Sequence, residues 1–507
     1  MITNMKIHLY FLGLFCGLLC SSCDLVVEPS DSLTTGTLVT TSDGLRNALN
    51  GAYSLFKDHV EFNGVVSANN MYLRQYFQLS DFASDDIVCG QVTTDPLWYS
   101  FTQDHTPTQA NTRFFWYISY KIINTVNTVI EAVEQQGEIN AETEQLLGEC
   151  YFLRAFAHFN LVRLFAKPYT HDPNALGIIL RLSLDEAAAK ERATVSEVYQ
   201  AVIADAERGA SLMNNARGTQ YASKEAAWAL LSRIYLYMEN HEQTIQYADQ
   251  VINSGRFTLT TADTYPSLFP NAVSGSETIF CVAFTSVDDY GRGSIASMVY
   301  SDGNSGWGEE FASASLRALM EDTPEDVRWS YIESSTDESG AVRRLNGIPI
   351  HYIRKFSYQD GNPNLSSPIM FRLAELYLNR AEAKAKSNRA GEALDDLDII
   401  RTNRGLLGHL YQGQAPAGLT ALEAVWNERR IELAFEGHRM FDIYRNKQDL
   451  VRDYWGYHLV GLRESDIDLS RKPTGFANIR LDWQHPRSIY HIPIDEILSN
   501  SSATQNP

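Results

Sequence analysis

From about residue 42 onward the chain alternates between two textures. In one, apolar residues return every three or four positions; in the other, Gly, Ser, Asp, Asn and Pro interrupt any period. The first texture predicts helices. "SDGLRNALNGAYSLFKD" opens at Ser42 or Asp43, residues suited to cap a helix, and spaces Leu45, Leu49, Ala52, Tyr53 and Phe56 along one face. The stretch from Asn111 to Gln136 is apolar on most sides, which marks a buried helix. "EQLLGECYFLRAFAHFNLVRLFAKPY" continues in the same manner until Pro168. "TVSEVYQAVIADAERGASLM" is amphipathic, with Thr194 or Ser196 as its cap.

Two later segments each read as a helix, a short turn and a second helix. They are "KEAAWALLSRIYLYMENHEQTIQYADQVINSG" and "FRLAELYLNRAEAKAKSNRAGEALDDLDIIRTNRG". At one constant offset, Ser232, Thr244, Ala248 and Val251 fall on Ala381, Ala393, Leu397 and Ile400. Small residues at the first two positions allow paired helices to approach closely, and larger ones behind fill the groove. The spacing is tetratricopeptide-like without the Trp and Pro signposts of a regular array. Arg154-Ala155 in "LRAFAHF" falls on Arg380-Ala381 in the same way, with its partner helix displaced to about residue 194. The fold class expected is mostly α: irregular tetratricopeptide-like helical hairpins interrupted by loop-rich regions with a short strand.

The second texture dominates residues 256–366 and returns at about 446–488, with "TIFCVAF" as one strand-like run. Long loops on a helical scaffold are where binding concentrates. Aromatic side chains recur in these stretches. Trp98 and Tyr99 lie in "DPLWYSF", Tyr290 in "DDYGRG", Trp307 in "SDGNSGWGEE", and Tyr454, Trp455 and Tyr457 in "RDYWGYH". Rings beside Gly and Asn suit a carbohydrate ligand, because the C–H face of a sugar packs on an aromatic plane while its hydroxyls reach Asn, Asp and Arg. The competing reading is that each ring pins its own loop.

The densest charged run, Trp426 to Lys447, carries Glu428, Glu432 and Glu436 at intervals of four. Arg429, Arg430 and Arg439 lie within three or four residues of a carboxylate. Apolar residues occupy two faces of the same stretch, so it reads as a structural ion-pair ladder, broken at Gly437, and not as a catalytic acid/base pair. No GxSxG, HExxH, GxxxxGK[ST] or GxGxxG motif occurs. Asp85-Asp86 and Asp288-Asp289 are candidate carboxylate pairs only in being acidic.

Composition narrows the partners. The 507 residues carry a net charge of −20, which disfavours nucleic acid and anionic lipid. At the N-terminus, "LYFLGLFCGLL" is an apolar run too short to span a bilayer, followed by Ser21, Ser22 and Cys23. This resembles a bacterial lipoprotein leader, with Cys20 standing where a Leu is usual. Cleavage would make Cys23 the lipidated N-terminus, and Met5-Lys6 reads as an alternative start. Beyond Cys23, only Cys89, Cys150 and Cys281 remain, spaced for neither a disulfide framework nor zinc.

Several stretches together resemble the SusD/RagB family of surface lipoproteins. They are "SSCDLVVEPSDSLTT" with "DGLRNALNGAYSLF", "RFFWYISYKIINTVNTVIEAV", "YFLRAFAHFNLVRLFAKP", "FRLAELYLNRAEAKAKSN", "LEAVWNERRIELAFEGHRMFDIYR" and the closing "YHIPIDEILSNSSATQNP". The resemblance implies a non-enzymatic protein without cofactors, anchored through Cys23 to the outer membrane and facing outward, with Asp24 and Glu28 as the export signal. Such a protein captures oligosaccharide or polysaccharide and passes it to a SusC-like TonB-dependent transporter. The expected layout is a leader at 1–22, a tether at 23–42 and one domain at 43–507. The resemblance implies about four tetratricopeptide-like hairpin pairs, mainly in 111–255 and 370–445, packed against a loop-rich half with short strands whose ligand-facing loops lie at about 60–110, 256–366 and 446–488. Trp98, Tyr99, Tyr290 and Trp307 are the expected glycan contacts; no metal is expected, and the sequence does not speak to a structural Ca²⁺. The two other function classes are a glycoside hydrolase lipoprotein and a helical scaffold for peptides.

Overall fold

Helix-forming segments pack first against their sequence neighbours, and here that rule builds half the molecule. The computed structural model describes residues 41–507 apart from 91–94, 138–139, 185, 187–188, 346 and 453–478. The helical half comprises α4 (Ala110–Gln136), α5 (Ala141–Phe165), α6 (Val195–Leu212), α7 (Lys224–Tyr237), α8 (His241–Ile252), α11 (Leu373–Lys386), α12 (Ala390–Asn403), α13 (Ala421–Glu432) and α14 (Arg439–Arg445). Successive helices from α4 to α8 pack in order, α8 continues onto α11, and α11 packs on both α12 and α13.

The constant-offset positions lie where these hairpins touch. Ser232, Thr244, Ala248, Ala381 and Ala393 are all fully buried. Ser232 Oγ donates to the Thr244 carbonyl, joining α7 to α8, and accepts from Asn379 Nδ2 of α11. The α5–α6 crossing is closer still. A Cβ on Gly148 would lie 3.0 Å from the Gly209 carbonyl oxygen, and one on Gly209 would lie 2.9 Å from that of Gly148. Only hydrogen fits between the two backbones there.

Caps set the helix starts. Thr194, not Ser196, caps α6 and exchanges bonds with Glu197; Thr420 and Glu423 do the same at α13, and Asn140 with Thr143 at α5. The first helix, α1 (Ser42–Ser54), is capped one residue earlier than expected, by Thr41.

The region around 60–110 is less loop-like than expected. It contains α2 (Tyr72–Ser80), the strand β1 (Ile87–Cys89) and α3 (Asp95–Thr102). Eight of the nine residues of α2 are buried, so no polar face supplies a helical period, and Gln75 and Gln78 sit inside among the rings.

Strands occur only as short antiparallel pairs among the described residues. β1 pairs with β3 (Glu310–Ala312), aligning Cys89 with Glu310. β2 (Thr278–Cys281), the strand expected in "TIFCVAF", pairs with β8 (Ile369–Arg372). β4 (Ile332–Ser334) pairs with β7 (His351–Ile353), and β5 (Arg344–Leu345) with β6 (Ile348–Pro349). β9 (Leu450–Arg452) pairs with β10 (Ile479–Leu481). Three shorter helices complete the chain: α9 (Ile295–Val299), α10 (Ala314–Ala318) and α15 (Ile494–Ser499). Phe152 and Phe156 of α5 meet Phe280 of β2 and Phe371 of β8 edge-on, which ties the strand-bearing half to the helices. Cys89, Cys150 and Cys281 are buried, with no disulfide among the described residues.

The charged run is structural, but not as a ladder along one helix. α13 ends at Glu432, Phe435 turns the chain at φ +69°, and Glu436 reaches in from that turn ahead of Gly437. Its glutamates find their partners outside the run. Glu432 accepts from Arg404 Nη2 at 2.7 Å, Arg372 Nη1 at 2.6 Å and Arg328 Nη1 at 3.1 Å. Glu428 accepts from Arg328 and Arg401, Glu436 from Arg372 and Lys355, and Glu277 from Arg372 and Arg404. Because this helix is covered on both sides, its charges meet neighbouring elements and not one another.

Candidate functional site

Among the described residues, the most exposed large ring in the loop-rich half is Trp307, at 50% relative exposure. Its presentation follows from the glycines beside it. Gly306 and Gly308 both have positive φ, +77° and +55°, conformations that other residues adopt only with strain. A Cβ on Gly306 would collide with the Tyr300 carbonyl oxygen, and one on Gly308 would lie 2.8 Å from Cε1 of Tyr352. The Trp307 amide donates to the Ser297 carbonyl at 2.6 Å, and the Gly308 amide to the same oxygen at 2.9 Å. Ahead of this turn, Asp302 accepts from the Asn304 and Ser305 amides and from Ser305 Oγ, which hold its carboxyl below the usual range. The ring is therefore outside, while its backbone is clamped.

Arg292 connects Trp307 to Tyr290. The Trp307 indole N–H donates to the Arg292 carbonyl at 3.1 Å, and the Arg292 guanidinium sits 4.7 Å from the indole centroid. Tyr290 lies two residues before Arg292 and stacks on His59, with centroids 4.0 Å apart and planes 23° apart. Phe284 meets it edge-on at 6.3 Å. Burial, with help from Arg74, lowers the pKa of His59, so the imidazole under Tyr290 is neutral at pH 7. Burial, followed by the charges of Asp58 and Asp288, raises that of the Tyr290 phenol.

Further rings and polar groups lie beside this pair. Tyr300 and Tyr358 share a hydroxyl–hydroxyl bond of 2.8 Å, and Tyr352 packs edge-on to Tyr300 at 5.4 Å. The Arg354 guanidinium sits 4.4 Å from the Tyr358 ring and donates to Glu333 at 2.7 Å. Asn362 donates to Asp289 at 2.7 Å, while Asp289 also accepts from the Gly291 amide, fixing the turn that carries Arg292. None of these neighbours was singled out in the sequence. The turn-rich "SYQDGNPNLSSP" marked their region, but only the fold brings residues near 300 and 358 together.

Of the four expected contacts, the structure brings two together, Tyr290 and Trp307. Tyr99 lies on α3, and the ring beside it is His105, at 6.0 Å. Trp98 belongs to the same helix, and its side chain lies outside the described residues, as do Cys23, Tyr454, Trp455 and Tyr457. The acidic pairs are engaged elsewhere. Asp85 accepts from Arg439 and Asp86 from Arg430, while Asp288 accepts from Lys57 and from Thr285. Among the described residues no group of three or more His, Cys, Asp or Glu side chains is placed to hold a metal ion.

Comparison with known proteins agrees with this architecture. Residues 55–236 match the SusD-like family model described as starch-binding, associating with the outer membrane, and residues 285–507 match that of the SusD family. SusD-like protein P2 of Formosa agariphila is 28% identical over 373 residues, covering 66% of this chain and 71% of its own. The crystal structure of a SusD superfamily protein from Bacteroides thetaiotaomicron superposes with a TM-score of 0.78 at 26% identity, covering 92% of this chain and all of the other. A SusD-like carbohydrate binding protein from Bacteroides vulgatus gives a TM-score of 0.75 at 22% identity, covering 91% and 97% of the two chains.

Proposed function

Because the chain belongs to the SusD/RagB family, we propose that it captures oligosaccharide on the face formed by Trp307, Arg292 and Tyr290. The role is binding and not catalysis, as it is for the family. One observation carries the placement: a half-exposed indole held by two glycines and a clamped backbone. Arg292 occupies one face of that indole, which leaves the other for the C–H face of a sugar. Arg292, Arg354 and Asn362 are the nearby donors for its hydroxyls. A ring fixed before the ligand arrives loses little freedom on binding.

Captured glycan passes to a SusC-like TonB-dependent transporter in the outer membrane. Affinities between about micromolar and millimolar, roughly −8 to −4 kcal/mol, suit a relay that must release its cargo. No described helix is long and apolar enough to cross a membrane. In this reading the anchor is the lipid on Cys23, and the ligand-binding face points outward.

Calorimetry with maltohexaose, xylohexaose, laminarihexaose and mannohexaose tests the site. Removing an aromatic anchor costs about 1–2 kcal/mol, so Trp307→Ala should weaken binding roughly 5- to 30-fold. Tyr290→Ala should weaken it as well. If both variants bind like wild type, the ligand lies elsewhere.

A further inference from the structure

A cleft of about 330 Å³ opens between α1 and the chain leaving β2. Asn50, Tyr53 and Ser54 of α1 line one wall, with Lys57 from the turn that follows it. Gln220 and Tyr221 line another, and Val282 and Ala283 belong to the apolar floor. We infer that this cleft is a second subsite, which takes a further neutral sugar unit of the oligosaccharide held on Trp307 and Tyr290. The inference rests on the glycan reading above and extends it from one contact face to a groove.

The walls are fixed in advance. The Tyr53 hydroxyl donates to Glu149 at 2.9 Å and accepts from the Ala222 amide, and its ring meets Tyr221 edge-on at 5.3 Å. Arg217 lies 3.8 Å from the centroid of Tyr221 and pairs with Glu149. The polar groups facing a ligand are the Ser54 hydroxyl and two amides: Gln220 is half-buried, and Asn50 Oδ1 is buried without a hydrogen-bond partner among the described residues. A buried acceptor without a donor is unfavourable, and a sugar hydroxyl is the kind of group that satisfies it. Charge does not favour an anion here, because the ammonium of Lys57 is bonded to Asp288 at 2.8 Å. The volume is at the lower end for small-molecule sites and suits a short saccharide segment.

The cleft and the aromatic face are neighbours through two short links. Lys57 lines the cleft and lies two residues from His59, on which Tyr290 stacks. Thr285 lines the cleft and lies five residues before Tyr290. At roughly 3.6 Å per residue, their Cα atoms can be no more than about 18 Å apart. A short extended oligosaccharide bridges such a gap. Val287, at 92% exposure, stands on the turn between them.

The test compares each hexasaccharide of the panel with its own disaccharide on wild type, Asn50→Ala, Ala283→Trp and Trp307→Ala. Wild type should bind the hexasaccharide about tenfold more tightly than the disaccharide, through the added subsite. Ala283→Trp fills the cleft, and Asn50→Ala removes its buried acceptor. Both should pull the hexasaccharide affinity down at least about fivefold, with the disaccharide unchanged. Trp307→Ala should weaken both ligands. If Trp307→Ala acts as expected while Ala283→Trp and Asn50→Ala leave hexasaccharide binding intact, the second subsite is refuted and the first stands. If wild type binds no probe, both readings fall. Should the tryptophan variant fail to fold by circular dichroism, Asn50→Ala decides.

Discussion

Glu432→Gln is the substitution whose cost the structure fixes most tightly. Glu432 belongs to a connected buried set of five carboxylates, with Asp326, Glu277, Glu428 and Glu436, and five cations, Arg328, Lys355, Arg372, Arg401 and Arg404. The set is neutral as a whole, and glutamine leaves it with one uncompensated positive charge. The amide oxygen can replace Oε1, which receives Arg372 and Arg404. The amide nitrogen would then stand at Oε2, where Arg328 Nη1 and Arg404 Nε each donate at 3.1 Å. Two charge-assisted bonds are lost, about 1.5–3 kcal/mol each, for a total of about 3–6 kcal/mol. Breaking a buried ion pair by removing one partner costs about 3–5 kcal/mol, which agrees.

Urea unfolding followed by tryptophan fluorescence measures the loss. For a chain of this size the denaturant slope should be no smaller than about 3 kcal/mol/M, so a loss of about 4 kcal/mol moves the midpoint by about 1 M. Glu392→Gln, which breaks an exposed pair with Arg389, is the control and should give no measurable shift. The pH dependence adds a second reading. Burial alone would raise the Glu432 pKa, but Arg404, Arg372 and Arg328 outweigh it and hold the carboxyl well below its usual value. A folded-state pKa below the unfolded one contributes stability that is complete above the unfolded value, about 4.3, and is lost as pH falls towards the folded one. The gap between wild type and Glu432→Gln should therefore be constant from pH 7 to about 5 and narrow below about 4. A midpoint shift no larger than that of Glu392→Gln would refute the claim that this cluster holds the fold.

Three further outcomes follow from other parts of the chain. Gly306→Ala places a Cβ on the Tyr300 carbonyl at a positive-φ position, so it should displace Trp307 and weaken hexasaccharide binding at least about tenfold, while moving the urea midpoint less than Glu432→Gln does. His59 is neutral at pH 7 because burial lowers its pKa, so glycan affinity by calorimetry should be flat between pH 7 and 8, and His59→Phe should keep it. Cys23→Ser should abolish incorporation of radiolabelled palmitate and release the chain from the membrane fraction, with hexasaccharide affinity unchanged.

How much of this was legible beforehand depended on the range of the interaction. Local interactions were readable: the amphipathic period of α6, its cap at Thr194 or Ser196, and the offset joining Ser232 to Ala381. Burial erased the signal at α2, where glutamines sit inside among aromatic rings. At α3, Asp95-Pro96 resembled a turn, although Pro in the first turn is also a helix start. Most ion-pair partners were hidden because they lie far along the chain, from 13 residues for Arg429–Asp442 to 354 for Arg439–Asp85. For the proposed ligand face, the sequence could mark rings in turns but not choose among them. Tyr290 needed His59 beneath it, and Trp307 needed Ser297 and Tyr300 behind it.

The charged run and the aromatic face are connected despite their different chemistry. Arg354 and Lys355 are adjacent, yet Arg354 lies against Tyr358 while Lys355 enters the buried set through Glu436. Asp85 and Asp86 are held by Arg439 and Arg430, and the strand that follows them, β1, pairs with β3 just after Trp307. Two loops beside the proposed ligand face are thus fastened by charge to α13, to α14 and to the turn between them. Such fastening sets the register of loops, which apolar packing alone specifies weakly. It also separates the two kinds of damage. Charge removal at Glu432 should lower stability while the folded fraction binds glycan normally, whereas Gly306→Ala should remove binding from a chain that remains folded. Normal affinity in Gly306→Ala, or lost affinity in folded Glu432→Gln, would mean that the ligand rests on the scaffold and not on the rings held out from it.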